Sequence, residues 1–210
     1  MAAMTNINVS RASQNEPATL STRHDIPIEQ RTDVTVDELE GTSLPCPAEL
    51  YDGKVVYKMA NYAHGKSQTR FISKLDRYLE EHPIGDLVTE TNFRLWPELP
   101  DQSRIPDVAF VKNERVPDDP HRFPALAPDL VIEIISPEDN FMQVMNKVDA
   151  YLEQGTQMIW LVITITREVL VCTTTGKYSV RDLLTAPDRL PGFELPVSKI
   201  FEGIPLPPRS

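Results

Sequence analysis

The segment Asp129-Leu130-Val131-Ile132-Glu133-Ile134-Ile135-Ser136 constrains this chain more than any other. Its apolar residues occupy both parities, so as a strand it must be covered on both faces, in the middle of a sheet. Ser136-Pro137 ends it. A single ionisable side chain inside the run, Glu133, breaks the pattern. An ionised carboxylate there costs on the order of several kcal/mol unless something compensates it. Two compensators are open: an Arg or Lys in a structural ion pair, or a metal ion.

The neighbouring residues extend the pattern. From 140 to 154, Phe141, Val144, Met145, Val148, Tyr151 and Leu152 share one helical stripe, and Gly155 stands where a C-terminal cap belongs. Residues 157–166 and 168–174 read as a strand pair joined by a tight turn. Strand, helix and strand over 129–165 predict a right-handed parallel crossover. Upstream, Asp52-Gly53 between two short apolar runs predicts a hairpin over 49–57. Phe71, Ile72, Leu75 and Leu79 predict a helix over 62–82 that stops at Pro83, with His64, Lys66, Arg70, Lys74 and Arg77 on its opposite face. Strands are also expected over 86–90, 93–96 and 107–112, and a short helix near 198–201 in a Pro-rich tail. The fold class is therefore α/β (α+β): a mixed central sheet flanked by helices, with an N-terminal hairpin.

A length of 210 residues suits one domain with a tail. Residues 1–34 are polar and lack a sustained period, so they are expected to be a disordered tail, with 35–210 as the single domain. Thr35 and Glu38 have the spacing of a capping box, which predicts a short helix there. The formal net charge of −10 excludes a protein held on nucleic acid by bulk positive charge, but not an enzyme with a local site. Two cysteines, Cys46 and Cys172, are too few for a disulfide scaffold or a Cys-only zinc site, so the expected setting is the reducing cytoplasm. The longest strongly apolar run, 158–165, is far short of a membrane span, and no signal peptide is expected.

Asp107 follows Pro106 at the head of Val108-Ala109-Phe110-Val111. An Asp in that position is ordinarily a turn residue. Yet 107 and 133 fall on successive core strands, and carboxylates from neighbouring strand ends can converge on one hard cation. Mg²⁺ takes oxygen ligands, keeps several waters and often needs only one or two protein carboxylates. Lys147 lies in the helix after Glu133, beside its apolar stripe. Alone it would be a solvated or snorkelling lysine. Near two metal-bound carboxylates, its ammonium could orient or deprotonate an attacking water, or stabilise developing charge.

Ile105-Pro106-Asp107-Val108-Ala109-Phe110-Val111, then Pro128-Asp129 through Glu138-Asp139, then Lys147-Val148-Asp149-Ala150-Tyr151, Gly155 and Trp160-Leu161-Val162 form an ordered set. In it the chain resembles the Uma-type restriction endonucleases, a bacterial branch of the PD-(D/E)XK nuclease superfamily, over residues 35–205. The resemblance implies a restriction-endonuclease-like core and a Mg²⁺-dependent phosphodiesterase site, with Mn²⁺ as a substitute. It assigns Asp107 as the Asp of the Pro-Asp motif and Glu133 as the second acid. Both would be metal ligands, helped by the Ile134 carbonyl. The superfamily lysine normally stands two residues after that acid, where this chain has Ile135. In the Uma-type branch it stands on the next helix, at Lys147. A second departure is Ile163-Thr164-Ile165-Thr166, where the family turn carries Asp-Pro. Glu49, His64 and Asp139 also match the pattern, as an acid able to hold a metal-bound water, a phosphate or site contact, and a residue of the Ser-Pro turn. Each has a plainer reading: an exposed hairpin glutamate, a structural histidine, and an acid favoured by a helix dipole.

The expected function is a Mg²⁺-dependent endonuclease acting on DNA, with Asp107, Glu133 and Lys147 as its catalytic set. A symmetric homodimer would suit cleavage of both strands. The alternative is a non-catalytic module that binds nucleic acid or protein on a degenerate nuclease core, which the acidity of the chain favours. An ion pair from Glu133 to an arginine, leaving no room for metal, would point to the module. A small-molecule hydrolase is a third reading, for which no substrate pocket is specified.

Overall fold

The computed structural model describes residues 26–206. Asp52-Gly53 joins β1 (Ala48–Tyr51) to β2 (Lys54–Tyr57) in an antiparallel hairpin with Tyr51 opposite Lys54. Both loop residues have positive φ, 47° and 71°, as a two-residue loop that follows the strand twist requires. A Cβ on Gly53 would lie 2.6 Å from the Thr32 carbonyl oxygen, so glycine is needed for space as well as for φ. Leu50 is buried in a small cluster with Val34, Val36, Leu39 and Ala48, which pins the hairpin against α1 (Val36–Glu40). The Thr35–Glu38 capping box at the start of α1 forms as expected.

The expected boundary at 35 needs correction. Val34 is fully buried, and Arg31 reaches Glu38 at 3.0 Å and Asp33 at 2.8 Å. Residues 26–34 therefore pack with the domain. The disorder expected for 1–25 falls outside the described residues.

Asn61 caps the long helix α2 (Tyr62–Glu81) by accepting the His64 N–H at 3.0 Å. The central sheet follows: β3 (Gly85–Thr89), β4 (Val108–Lys112), β5 (Leu130–Ile135), β6 (Met158–Ile163), β7 (Glu168–Thr173) and β8 (Gly176–Val180), in that spatial order. Only the β5–β6 pair is parallel, and α3 (Phe141–Glu153) makes the crossover between them. Asn140 caps α3, and Gly155 follows it with φ 103°. Every residue of β5 is buried, as its two-sided apolar pattern demands.

Strand alternation divides the core in two. Val108, Phe110, Leu130, Ile132 and Trp160 face α2, whose Phe71, Leu75 and Tyr78 cover them. The same layer includes the ribbon β9 (Leu183–Ala186) and β10 (Leu190–Pro196) and the short helix α4 (Val197–Ile200), with Phe193 6.0 Å from the Trp160 ring. On the other face, Ala109, Val111, Val131, Ile135 and Cys172 pack against Val148 and Tyr151 of α3. Residues 107 and 133 have the parity of this second face.

Three local expectations fail for physical reasons. Residues 93–96 make no strand: Phe93 forms an isolated bridge with Arg104, and Pro97 and Pro100 prevent continuation. The alternate burial of Phe93 and Leu95 imitates a strand without the ladder. His64 lies on the buried face of α2 and not on the basic one. The Pro-rich tail contains β10, in which Pro191 and Pro196 sit in a two-stranded ribbon that tolerates a missing donor.

Candidate active site

Asp107 immediately precedes β4, and Val108 pairs with Ile132 in the antiparallel β4–β5 ladder. One step further along that ladder, residue 107 lies opposite Glu133, and opposed residues share a face. The two carboxylates consequently project from one side of the sheet, the side covered by α3. Asp107 Oδ2 accepts the Ile134 N–H at 2.6 Å, which ties the end of β4 to the strand that carries Glu133. Asp107 Oδ1 faces Lys58 Nζ at 2.7 Å and His64 Nε2 at 3.2 Å. The Asp107 carbonyl takes a 2.9 Å hydrogen bond from the Gln68 amide.

Lys147 reaches this group from α3. Its ammonium lies 2.9 Å from Glu133 Oε1, bonds to the Ile105 carbonyl at 2.9 Å, and makes a short ion pair with Glu49. Glu49 is turned inward, opposite to Leu50 on β1. It also accepts the Ile105 N–H at 2.8 Å and the Tyr51 hydroxyl at 2.9 Å. The Tyr51 ring is covered by the Arg104 guanidinium at 3.5 Å, a cation–π stack that stiffens the wall of the site. Position 135 holds a buried isoleucine of the second core, so the lysine comes to the acids from the helix.

Of the six residues the sequence singled out, the structure brings together Asp107, Glu133, Lys147, Glu49 and His64. Asp139 stays apart: its Oδ2 accepts the Ser136 N–H at 2.7 Å in an exposed turn. Lys58 was missed. It directly follows β2, and its ammonium bonds Asp107 Oδ1 and the Ile105 carbonyl (2.8 Å) and lies 3.8 Å from Glu133 Oε2. A lysine leaving a hairpin carries no periodic signal. Its distance in sequence from the acids hid it, although hairpin register could have placed it near Glu49.

Electrostatically, three buried carboxylates face two ammoniums and an imidazole. Burial alone would raise the Asp107 carboxyl, but the His64 hydrogen bond and Lys58 hold it well below the usual carboxylate range. Glu49 is likewise pushed up by burial and brought down further by Lys147 and Lys58. Glu133 differs: burial raises it, Lys147 and Lys58 offset that only in part, and Asp107 and Glu49 add repulsion. Burial disfavours the Lys147 ammonium, yet Glu133 and Glu49 hold it protonated above its ordinary value. His64 is raised in the same way by Asp107, against burial.

The donor set suits a hard cation. Asp107 and Glu133 offer carboxylate oxygens from one face, and Glu133 Oε1 is shielded from solvent with no hydrogen bond of its own beyond the Lys147 ion pair. Among the described residues, no group of three or more His, Cys, Asp or Glu side chains forms a ready-made cage. Mg²⁺, which retains several waters, is often held by only one or two protein carboxylates.

The mixed six-stranded sheet with this crossover, carrying acids from neighbouring strands on one face, is of the restriction-endonuclease-like α+β class. The Uma2 family model, described as "Putative restriction endonuclease", matches residues 38–198, and the chain belongs to that family. Its fold is similar to the crystal structure of "a putative nuclease belonging to DUF820" from Anabaena variabilis ATCC 29413, with a TM-score of 0.68 at 24% identity over 80% of this chain and 98% of that one. No curated protein matches the chain. Family membership makes nuclease chemistry the activity class. No helix among the described residues is long and apolar enough to cross a membrane.

Proposed function

We infer that the chain is a divalent-metal-dependent endonuclease that hydrolyses DNA phosphodiester bonds at the Asp107–Glu133–Lys147 cluster. The observation that carries this reading is the convergence of the two carboxylates on one face of the sheet, with the Lys147 ammonium 2.9 Å from Glu133. Asp107 and Glu133 would hold Mg²⁺ or Mn²⁺. A bound ion there supplies Lewis-acid polarisation of a phosphoryl oxygen and neutralises charge in an acidic protein.

The chain's own residues do the rest. The Ile134 N–H fixes the Asp107 carboxylate through Oδ2, which leaves Oδ1 to Lys58 and His64. Glu49 and the Ile105 carbonyl aim the Lys147 ammonium. Glu133 and Glu49 hold the Lys147 ammonium above its ordinary value, which suits it to orienting water and stabilising developing phosphorane charge. His64, hydrogen-bonded to Asp107, holds that carboxylate ionised.

One observation favours a second reading, a non-catalytic nucleic-acid- or protein-binding module on the same core. Glu133 is engaged by lysines, Lys147 and Lys58, and the acids are largely neutralised from within. The test is incubation of the purified protein with plasmid and short DNA duplexes, with and without Mg²⁺ or Mn²⁺. Metal-dependent cleavage that disappears in Glu133→Gln supports the enzyme. Absence of cleavage in every condition supports the module. A homodimer remains part of the enzyme reading, and gel filtration with light scattering tests it.

A further inference from the structure

Lys58 holds an unusual position. Its ammonium stands between the two acids, 2.7 Å from Asp107 Oδ1 and 3.8 Å from Glu133 Oε2. A hard cation serving both carboxylates has to sit in that same space. Lys147, by contrast, reaches Glu133 Oε1 from α3 and is bound to Glu49, with no ion pair to Asp107. The two lysines also differ in freedom. Lys147 projects from a helix docked on the sheet. Lys58 leaves the end of a two-stranded ribbon, its side chain is 20% exposed against 12% for Lys147, and its neighbours Met59 and Tyr62 are 90% and 80% exposed. Lys58 is thus the more exposed of the two lysines, on a stem long enough to move its ammonium by several ångströms.

We propose that Lys58 is a displaceable internal cation: it occupies the two-carboxylate position in the metal-free protein, yields that position to a divalent ion, and then meets a phosphate of the nucleic acid beside the acids. This rests on the metal-site reading above. Lys58 offers one charge where a divalent ion offers two, and the two cannot share the space between Asp107 and Glu133 without strong repulsion. The displaced ammonium would leave by the hairpin end, where Met59 next to it is exposed. There a strongly hydrated point charge is suited to a phosphate oxygen. The arrangement also accounts for a buried acidic cluster in a protein that must stay folded before metal arrives, since an unpaired pair of buried carboxylates would repel.

The test is amine acylation of the full-length protein, read lysine by lysine by mass spectrometry, with Ca²⁺ as a probe ion chosen to limit turnover. In chelator, Lys58 is expected to label slowly. Saturating Ca²⁺ should raise its labelling several-fold while Lys147 stays protected, and a short oligodeoxynucleotide added with Ca²⁺ should lower it again. Glu133→Gln, which keeps the Asp107–Lys58 pair but weakens the ion site, should abolish the Ca²⁺ response. Calorimetry on Lys58→Met should give tighter Ca²⁺ binding than wild type, because the competitor is gone. Unchanged Lys58 labelling on Ca²⁺ addition, with wild-type Ca²⁺ binding measured by calorimetry, overturns the displacement. A Ca²⁺ response without protection by the oligonucleotide overturns the phosphate contact. If wild type binds neither Ca²⁺ nor Mg²⁺, the metal reading itself fails and this inference falls with it.

Discussion

The Ile134 N–H donates to Asp107 Oδ2 at 2.6 Å, one residue beyond Glu133 on β5. This bond divides the work of one carboxylate: Oδ2 locks the end of β4 to β5, and Oδ1 serves Lys58 and His64. Asp107→Ala should therefore strand a buried N–H, at about 1–3 kcal/mol, in addition to depriving Lys58 of its partner. Asp107→Asn can still present an oxygen to Ile134 and should lose less. Urea denaturation of both variants in chelator checks the order.

Lys147 is shared by two buried carboxylates. Lys147→Met should destabilise the metal-free protein by roughly 3–5 kcal/mol, because Glu49 and Glu133 lose their nearest counter-charge and keep only the more distant Lys58. Adding Glu49→Gln should recover part of that loss. A double-mutant cycle with no coupling energy would show that the short Glu49–Lys147 contact contributes nothing to stability.

The same lysine tests the chemistry. Under conditions where circular dichroism shows the variant folded, Lys147→Met should lower the metal-dependent cleavage rate by about 10²–10³-fold, the usual cost of losing a charge-stabilising donor. Lys147→Arg should not restore it, since a planar fork does not fit a position made for a point charge. Lys177→Ala is the control. Lys177 lies on the exposed edge strand β8, paired with Asp149 at the surface, and its loss should leave the rate unchanged.

The Asp107–His64 pair makes the metal-free fold sensitive to pH in both directions. Asp107 is lowered on folding, so its contribution is present above the unfolded value near ~3.9 and fades as pH falls below that. His64 is raised, so its contribution is full below ~6.5 and is lost as pH rises through its higher folded value. His64→Gln should flatten the fall in stability above about pH 6.5 and leave the acid limb in place. Thermal melts in chelator across this range measure both limbs.

Gly53→Ala probes the hairpin that carries Glu49 and precedes Lys58. Positive φ alone should cost about 1–2 kcal/mol, and contact with the Thr32 carbonyl should add to it. If the hairpin is part of the site, metal affinity measured by calorimetry should fall along with the melting temperature. Unchanged affinity in a destabilised variant would separate the hairpin from the ion site.

The legible parts of the sequence were those with a strong local cause. The two-sided apolar run around Glu133, the Asp-Gly turn and the stripes of α2 and α3 each follow from nearest-neighbour chemistry, and all of them formed. Pairing of 107 with 133 was legible because two successive core strands tend to be neighbours. Lys58 was not, because its partnership with Asp107 depends on where a hairpin swings in space and leaves no trace in its own surroundings. His64 was placed on the wrong face of α2, since a histidine among basic residues looks solvated until a buried acid claims it. Asp139 differs again: it matches the family pattern, and its carboxylate is engaged by the Ser-Pro turn, apart from the cluster.

The ion cluster draws Glu49, Lys58, His64, Asp107, Glu133 and Lys147 from nearly one hundred residues of chain, with Glu49 and Lys147 separated by 98 positions. During synthesis Glu49, Asp107 and Glu133 leave the ribosome before the helix that supplies Lys147. A chain halted before α3 holds carboxylates without that counter-ion and lacks the strand β6 that would lie beside Glu133. Assembly of the cluster is thus a late event in the life of each molecule, and its charges balance only when the crossover is complete.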